Sequence, residues 1–510
     1  MSIPSSSQAD IALLLEGTFP YVSGGVSSWV NQIIRAYPEY RFALIFLGSR
    51  REDYSTFKYE LPANVVHFEE HFLYDGLSTH EKPKARQGDE KAFSAAARMH
   101  EKFAPGVAPN EAMQAFKAVA GVMMPGSKLT LEDFLHSEQA WEIICQRYRN
   151  FCTDPSFVDF FWTVRIMHAP LWKLARIADA LLEVKVLHTI STGYAGFLGA
   201  LIHQTRGTPL ILSEHGIYTK ERKIDLFKSE WIRDNRNIFQ RNPGELSYFR
   251  QMWIHFFEWL GRFCYDAADP ILALYEQNRL RQVADGASPE RTANIPNGIS
   301  LKRFAPLRAA RPEKLPQVLC LIGRVVPIKD IKTFVRAMRS VVNQLPDAEG
   351  WIAGPEDEDP AYAQECRSLV LSLGLQDKVR FLGFQKIDEL MPKIGLTILS
   401  SISEALPLVI LEGYAAGVPT ISTDVGSCRQ LIEGLDDEDK ALGASGAVVN
   451  IADPQGLADA AVALLRDEDG WRAASQAGIA RVERYYTDDL MFGSYRRVYH
   501  QALAANGKTG

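Results

Sequence analysis

The sequence predicts an α/β architecture of the doubly wound kind, and three observations carry that reading. Short apolar runs bounded by turn residues recur along almost all of the chain. Segments of helical period separate one run from the next, the pattern of a parallel sheet covered by helices on both faces. The composition is that of an ordinary soluble protein, with 46% hydrophobic and 23% charged residues, 36 glycines and 26 prolines in 510 residues. Collagen, coiled coil and extended disorder are excluded by that balance.

The strand-like runs, in order, are Ile11–Leu15, Phe42–Phe46, Val184–Thr189, Pro209–Ser213, Ile271–Tyr275, Val318–Ile322, Gly350–Ala353, Val379–Leu382, Leu396–Ser400 and Thr420–Thr423. The alternation fails twice. Residues from about 80 to 150 are helical in pattern and rich in Ala, Glu and Lys, which marks an α-helical insertion in the first half. Residues 304–316, FAPLRAARPEKLP, combine proline with basic residues between two strand signals and read as a linker. The expected organisation is a Rossmann-like domain over residues 1–303, a second over 317–485, and a last helical stretch within 486–510.

Fifty-six basic against 62 acidic residues leave a formal charge of −6, which speaks against nucleic acid as a partner. The six cysteines, Cys145, Cys152, Cys264, Cys320, Cys366 and Cys428, form no C-x-x-C pair, so neither a zinc site nor a disulfide framework is expected. No basic region precedes the first apolar run. The apolar stretch near Ile190–Ile202, interrupted by three glycines, falls short of the roughly 20 residues that span a bilayer. A cytoplasmic protein is the expectation.

Open α/β sheets bind ligands outside the carboxyl ends of their strands, so loops that follow strands have the first claim to function. Two such domains facing each other would hold a ligand in the cleft. The first loop carries Gly24-Gly25 ahead of a helix, which suits either a tight turn or a backbone approach to an anion. The dinucleotide pattern G-x-G-x-x-G is absent. His215, in Ser213-Glu214-His215-Gly216, follows a strand, and taken alone it reads as a satisfied histidine in a helix cap; His188 reads as core. Asn297, in Ile295-Pro296-Asn297-Gly298-Ile299, is first a turn signal.

In the second domain, Gly323-Arg324 and Lys329 occupy the loop after Val318–Ile322. An arginine fork and a lysine point charge five residues apart suit a diphosphate, while two solvated surface cations are the plainer alternative. The segment Ser403-Glu404-Ala405-Leu406-Pro407-Leu408-Val409 leads into Glu412, and Pro407 fits the first turn of a helix. That places Glu404 in the loop and Glu412 within the helix, where a carboxylate in apolar surroundings must be paired or hydrogen-bonded. Free amides near Leu408 and Val409 would form an anion site.

Taken in order, the Gly-Gly loop, the histidine after a strand, I-P-N-G-I, G-R-x4-K and S-E-x-L-P-L-V-x-L-E-G resemble the retaining glycosyltransferases of family 4, which have the two-domain GT-B fold. The resemblance covers about Ile11–Leu47 and Val184–Tyr486. The stretch Glu214–Arg222, with the helical insertion before it, is similar to a narrower group, the cytosolic transferases of Pel exopolysaccharide synthesis. The resemblance implies that Arg324 and Lys329 neutralise the donor diphosphate and that Glu404 stands beside the donor sugar. It places Glu412 on the ribose hydroxyls, main chain near Phe384 on the base, His215 near the sugar, and Gly25 at the diphosphate. It further implies an acceptor site in the first domain and a terminal helix, Leu490–Ala505, that crosses back to it.

The donor implied is a UDP-hexose or UDP-N-acetylhexosamine, with no other cofactor. The partners implied are a growing polysaccharide acceptor and an inner-membrane synthase or exporter that recruits the soluble chain. The D-x-D of Asp357-Glu358-Asp359 reads as a solvated acidic run, and no other stands in a convincing loop after a strand, so metal independence is expected. Retention by front-face attack and retention through a covalent intermediate on Glu404 both remain open. Two other readings share the fold. A UDP-sugar epimerase is disfavoured by the Glu404/Glu412 pair and the G-R-x4-K spacing, and a non-catalytic synthase subunit is disfavoured by the filled motif positions.

Overall fold

The structure is a computed structural model that describes residues 4–76, 86–102, 109–229, 231–237 and 246–506. Parts of the expected insertion, 80–85 and 103–108, lie outside the described residues. The chain forms two compact units. The first comprises the residues up to Ala273, Arg279–Asn294 and those from Arg496 onward; the second comprises Leu274–Asn278 and Ile295–Tyr495. The unit boundary thus falls inside two helices, Glu276–Asp285 and Asp488–Asn506.

In the first unit the strands are β1 (Gln8–Glu16), β2 (Phe42–Gly48), β3 (Val65–Phe72), β4 (Glu183–Thr189), β5 (Leu210–Glu214), β6 (Ile271–Ala273) and β7 (Thr292–Asn294). They lie in the order β3-β2-β1-β4-β5-β6-β7. Every neighbouring pair is parallel. Residues Ile11 to Leu15 of β1 are all inaccessible to solvent, as expected for a central strand covered on both faces. The first covering helix, Gly25–Ala36, turns Trp29, Val30, Ile33 and Ile34 onto the sheet at the three-and-four spacing of one helix face. Near its far end Tyr499 packs edge-on against Tyr37 at 5.5 Å and against His188 at 5.6 Å.

Five helices stand between β3 and β4: Glu90–Lys102, Pro109–Val122, Leu131–His136, Glu138–Phe151 and Phe157–Ala180. Thr130, Ser137 and Ser156 cap three of them by accepting amide hydrogen bonds. Their apolar faces join the sheet core, where Phe116 meets Phe263 edge-on at 4.5 Å.

In the second unit the strands are β8 (Val318–Ile322), β9 (Glu349–Ala353), β10 (Val379–Gly383), β11 (Leu396–Leu399), β12 (Thr420–Thr423) and β13 (Gly446–Val449). Their order is β10-β9-β8-β11-β12-β13, again all parallel. Each sheet therefore reverses direction once, between β1 and β4 in the first and between β8 and β11 in the second. Crevices for ligands open at such reversals, outside the carboxyl ends of the strands.

The buried Arg481 supports the second unit from behind. Its Nε donates to Asp439 Oδ1 at 2.6 Å, and its two terminal nitrogens donate to Ile432 O, Ser445 Oγ, Asp439 O and Gly443 O at 2.9–3.1 Å. All five guanidinium hydrogens are thereby used. Each strand-like run of the sequence corresponds to a strand, but β3, β7 and β13 carried no such signal. β3 alternates apolar residues with His67, Glu69, Glu70 and His71, while β7 and β13 are three and four residues long at sheet edges. All six cysteines are free. Among the described residues no helix is long and apolar enough to cross a membrane.

Candidate active site

The loop after β8 is built around an unusual turn. Asp330 sits in the left-handed region at φ 43°, and its carboxylate accepts from Thr333 N at 3.3 Å and from Thr333 Oγ1 at 2.6 Å. It thereby caps the helix Ile331–Gln344. Ser400, just past β11, donates to the carbonyls of Lys329 and Asp330 at 2.9 and 3.0 Å, and Ile402 N donates to Ile328 O at 2.8 Å. A strained residue persists only where its surroundings over-determine it, and such residues cluster at functional sites.

That stitching brings two predicted residues together. Lys329 Nζ lies 2.6 Å from Glu404 Oε1, and Ser401 Oγ donates to the same oxygen at 2.7 Å. The pair is largely screened from solvent, the side chains being 21% and 15% exposed. Arg324 turns to the other side of β8. Its Nη1 lies 2.6 and 2.5 Å from the two oxygens of Glu358, in the loop after β9, and both side chains are about half exposed. The acidic run is indeed solvated, yet Glu358 holds Arg324 and Asp359 caps the helix Pro360–Ser372. Gly323 lies between the strand and the two cations, where an added Cβ would come 3.4 Å from Lys329 Cε.

The helix Leu408–Ala415 begins right after Pro407, whose side chain offers no cap, so the amides of Leu408 and Val409 face outward from a helix N-terminus. Glu412 lies within that helix, as expected, but it is not paired. It takes no hydrogen bond or ion pair among the described residues, and burial pushes its carboxyl up to about 7, with Asp388 adding to the shift and Arg303 opposing it. The expectation that it must be paired is therefore corrected: a buried carboxylate also escapes the cost of its charge by holding a proton. Arg303 spends itself on Asp388, at 2.9 and 3.1 Å. Phe384 follows β10 and stands 80% exposed, an apolar ring held out to solvent.

Asn297 is buried, and its Oδ1 has no partner. The segment that carries it is fixed from outside. A Cβ on Gly298 would fall 2.3 Å from Thr487 O, and Ile299 exchanges backbone hydrogen bonds with Tyr486 and Asp488. Residues 295–298 run from β7 to the isolated bridge at Ile299 without a turn, so the turn reading of this motif is corrected.

In the first unit, Gly24 is extended and caps the helix Gly25–Ala36. An added Cβ at Gly24 or Gly25 would meet nothing within 4 Å, so no atom of the described fold demands glycine there. His215 is buried with its ring edge-on to Trp29 at 4.6 Å, and its Nε2 has no partner. Burial lowers its pKa to about 4, so the ring is neutral. This is not the satisfied histidine of a helix cap. His188 is a core residue as read: it bonds Tyr499 OH at 2.8 Å and Ser213 Oγ at 2.9 Å, and burial lowers it to about 3.

Glu16, Tyr218, Arg222 and Glu214 were given no role of their own by the sequence reading. Glu16, closing β1, accepts from Tyr218 OH at 2.7 Å, Ala195 N at 3.1 Å and Ser191 Oγ at 3.3 Å, and so spans the reversal between β1 and β4. Arg222 Nε donates to Tyr218 OH at 3.0 Å, and its guanidinium lies over the Tyr218 ring. Glu214, closing β5, accepts from Tyr265 OH at 2.7 Å, Gln282 Nε2 at 3.0 Å and Thr192 Oγ1 at 3.2 Å; burial raises its pKa. An acid at the end of an otherwise apolar strand was the available signal, in IALLLE and LILSE.

Two Rossmann-like units, with a cation-carboxylate cluster at the reversal of the second sheet, define a chain of the GT-B glycosyltransferase fold. Residues 9–290, more than half of the chain, match the family described as Domain of unknown function (DUF3492), and the chain belongs to that family. Residues 316–467 match the family described as Glycosyl transferases group 1. Among similar proteins, the N-acetyl-alpha-D-glucosaminyl L-malate synthase of Bacillus anthracis is 30% identical over 195 residues, 38% of this chain and 48% of that protein. The lipopolysaccharide core biosynthesis mannosyltransferase LpsB of Rhizobium meliloti is 27% identical over 234 residues, 42% of this chain and 65% of that protein. The chain thus spans less than two thirds of either. The crystal structure of Anabaena HepE in complex with UDP superposes with a TM-score of 0.56 at 13% identity, covering 96% of this chain and 100% of that one, a likeness of fold.

Proposed function

We propose that this chain is a retaining, metal-independent glycosyltransferase that takes a UDP-hexose or UDP-N-acetylhexosamine and extends an exopolysaccharide of the Pel type. The observation that carries the reading is the Lys329–Glu404 pair across the reversal of the second sheet, with Arg324 on the same loop as the lysine. Departure of a nucleoside diphosphate leaves negative charge on the phosphates and positive charge on the sugar. Arg324, Lys329 and the amides of Leu408 and Val409 supply fixed positive charge for the first, without a metal ion.

Glu404 serves the second. When a diphosphate draws Lys329 away, the carboxylate is released to accept from sugar hydroxyls, with Ser401 still holding one oxygen. Its place in this reading is to orient the sugar for front-face attack. Glu412 accepts the ribose hydroxyls, and main chain at Phe384 meets the base. In the first unit, the open space at Gly24 and Gly25 and the orphaned Nε2 of His215 are the groups left free to meet a donor. The acceptor belongs to that unit as well. Support for the nucleotide comes from the Anabaena neighbour, solved with UDP, and support for a polysaccharide product from the relative in lipopolysaccharide core biosynthesis. The reading places the protein in the cytoplasm, recruited to an inner-membrane synthase.

Calorimetric titration with UDP, ADP and GDP, in EDTA and then in magnesium, tests this. Binding of UDP alone, unchanged by EDTA and weakened in Lys329→Ala, is the expected result. Failure of all three to bind overturns it.

A further inference from the structure

The helical segment between β3 and β4, together with the helix Tyr248–Ala267, encloses a cavity of about 520 Å³ that the site above does not use. Sites that hold small ligands span roughly 300–1,000 Å³. Its inner lining, including Phe116, Ile144, Met167 and Leu260, is buried and apolar. Of its polar lining residues, Glu101, Gln251 and His255 are exposed and give the cavity a wet mouth, while the partly buried His168 is tied to Val164 O at 2.8 Å. A void lined by rings and methyl groups stays dry, and its walls forgo dispersion contacts until something apolar enters.

One lining cation sets the chemistry of the mouth. Arg147 lies over the Phe151 ring at 4.2 Å, and burial lowers its pKa. Among the described residues no carboxylate lies within ion-pair distance of it; Glu101 acts on it only from farther away. A partly desolvated guanidinium without a contacting counter-ion is complementary to an anionic group with two oxygens. The aromatic wall also continues to the surface. Tyr248 and Phe160 of the lining are 6.2 Å apart, Tyr148 joins Phe160 to Phe157, and Phe157 meets the half-exposed Trp141 at 5.6 Å.

We propose that this cavity binds a single-chain anionic amphiphile, its hydrocarbon among Phe116, Met167 and Leu260 and its acidic head on Arg147. The proposal is independent of glycosyl transfer. It is tested on the full chain by calorimetric titration with dodecyl phosphate, dodecanol and inorganic phosphate, each below micelle formation. Dodecyl phosphate is expected to bind one molecule per chain, dodecanol more weakly, and inorganic phosphate not to compete. Arg147→Gln lowers the affinity for dodecyl phosphate about tenfold, as loss of a charged hydrogen bond does, and leaves that for dodecanol unchanged.

Ala140→Trp fills the cavity from a buried lining position and abolishes both. Should that variant fail to fold by circular dichroism, Met252→Phe fills the same space from a partly exposed wall. Lack of saturable dodecyl phosphate binding, full competition by inorganic phosphate, or undiminished binding in a folded filled variant overturns the proposal.

Discussion

Lys329 and Glu404, 75 positions apart in the chain, meet at 2.6 Å because Ser400 ties the loop after β11 to the carbonyls of the loop after β8. The two residues answer to different parts of one ligand in the proposed reaction, and separating them experimentally is informative. Lys329→Ala removes a charged donor and should weaken UDP binding by about 1.5–3 kcal/mol. Glu404→Gln keeps the shape and should lower turnover far more than UDP affinity. Titration calorimetry alongside a sugar-transfer assay checks both, and equal losses of affinity and turnover in Glu404→Gln would contradict the assignment.

Arg324 is held by Glu358, and both side chains are about half exposed. An exposed pair of this kind contributes at most about 1 kcal/mol. Glu358→Gln should therefore free the guanidinium and tighten nucleoside diphosphate binding by no more than about fivefold. Weaker binding in that variant would show that Glu358 holds the loop in shape instead of competing for its cation.

The elevated Glu412 carboxyl, near 7, makes two linked statements. Its folded value lies above its unfolded one, so its contribution to stability is full at pH below the usual carboxylate range and is lost as pH rises to about 7. Ribose hydroxyls that donate to it favour the charged form, so nucleotide binding should release a proton near that pH and strengthen as pH rises through it. Calorimetry in buffers of different ionisation enthalpy reads the proton. Glu412→Gln should remove that release and raise the stability of the second unit at neutral pH.

Arg481 uses all five hydrogens inside the second unit, and Asp439 is its buried counter-charge. Removing one partner leaves an uncompensated charge, which costs about 3–5 kcal/mol. Arg481→Met is thus expected to lower the unfolding free energy of the second unit by that amount, seen as a lower urea midpoint, without altering the fluorescence transition of the first. A shift under about 1 kcal/mol would mean that Asp439 takes up a proton or is reached by water.

The sheets were legible because a central parallel strand must be apolar on both faces, and Ile11–Leu15 or Val318–Ile322 can hardly be anything else. The edge strand β3 was not, because His67, Glu69 and His71 share one face, bonded to one another, and break the apolar run. For the site, Arg324, Lys329, Glu404 and Glu412 could be picked out from spacing and from their places after strands. What spacing cannot convey is partnership. Arg324 pairs toward β9 and Lys329 toward β11, and Glu16 reaches Tyr218, 202 positions away, only after β1 and β5 are laid on either side of β4.

The first unit is not one continuous stretch of polypeptide. Residues from Arg496 onward complete it, and Tyr499 supplies the ring against Tyr37 and the hydroxyl bonded to His188. During synthesis those residues follow all of Ile295–Tyr495, so the histidine keeps its bond to Ser213 but lacks the Tyr499 hydroxyl while the whole second unit is being made. The N-terminal half must wait in an unfinished state, and a chain cut at Tyr495 would keep it there. Stability of the first unit is in this sense a report that translation has run past the second.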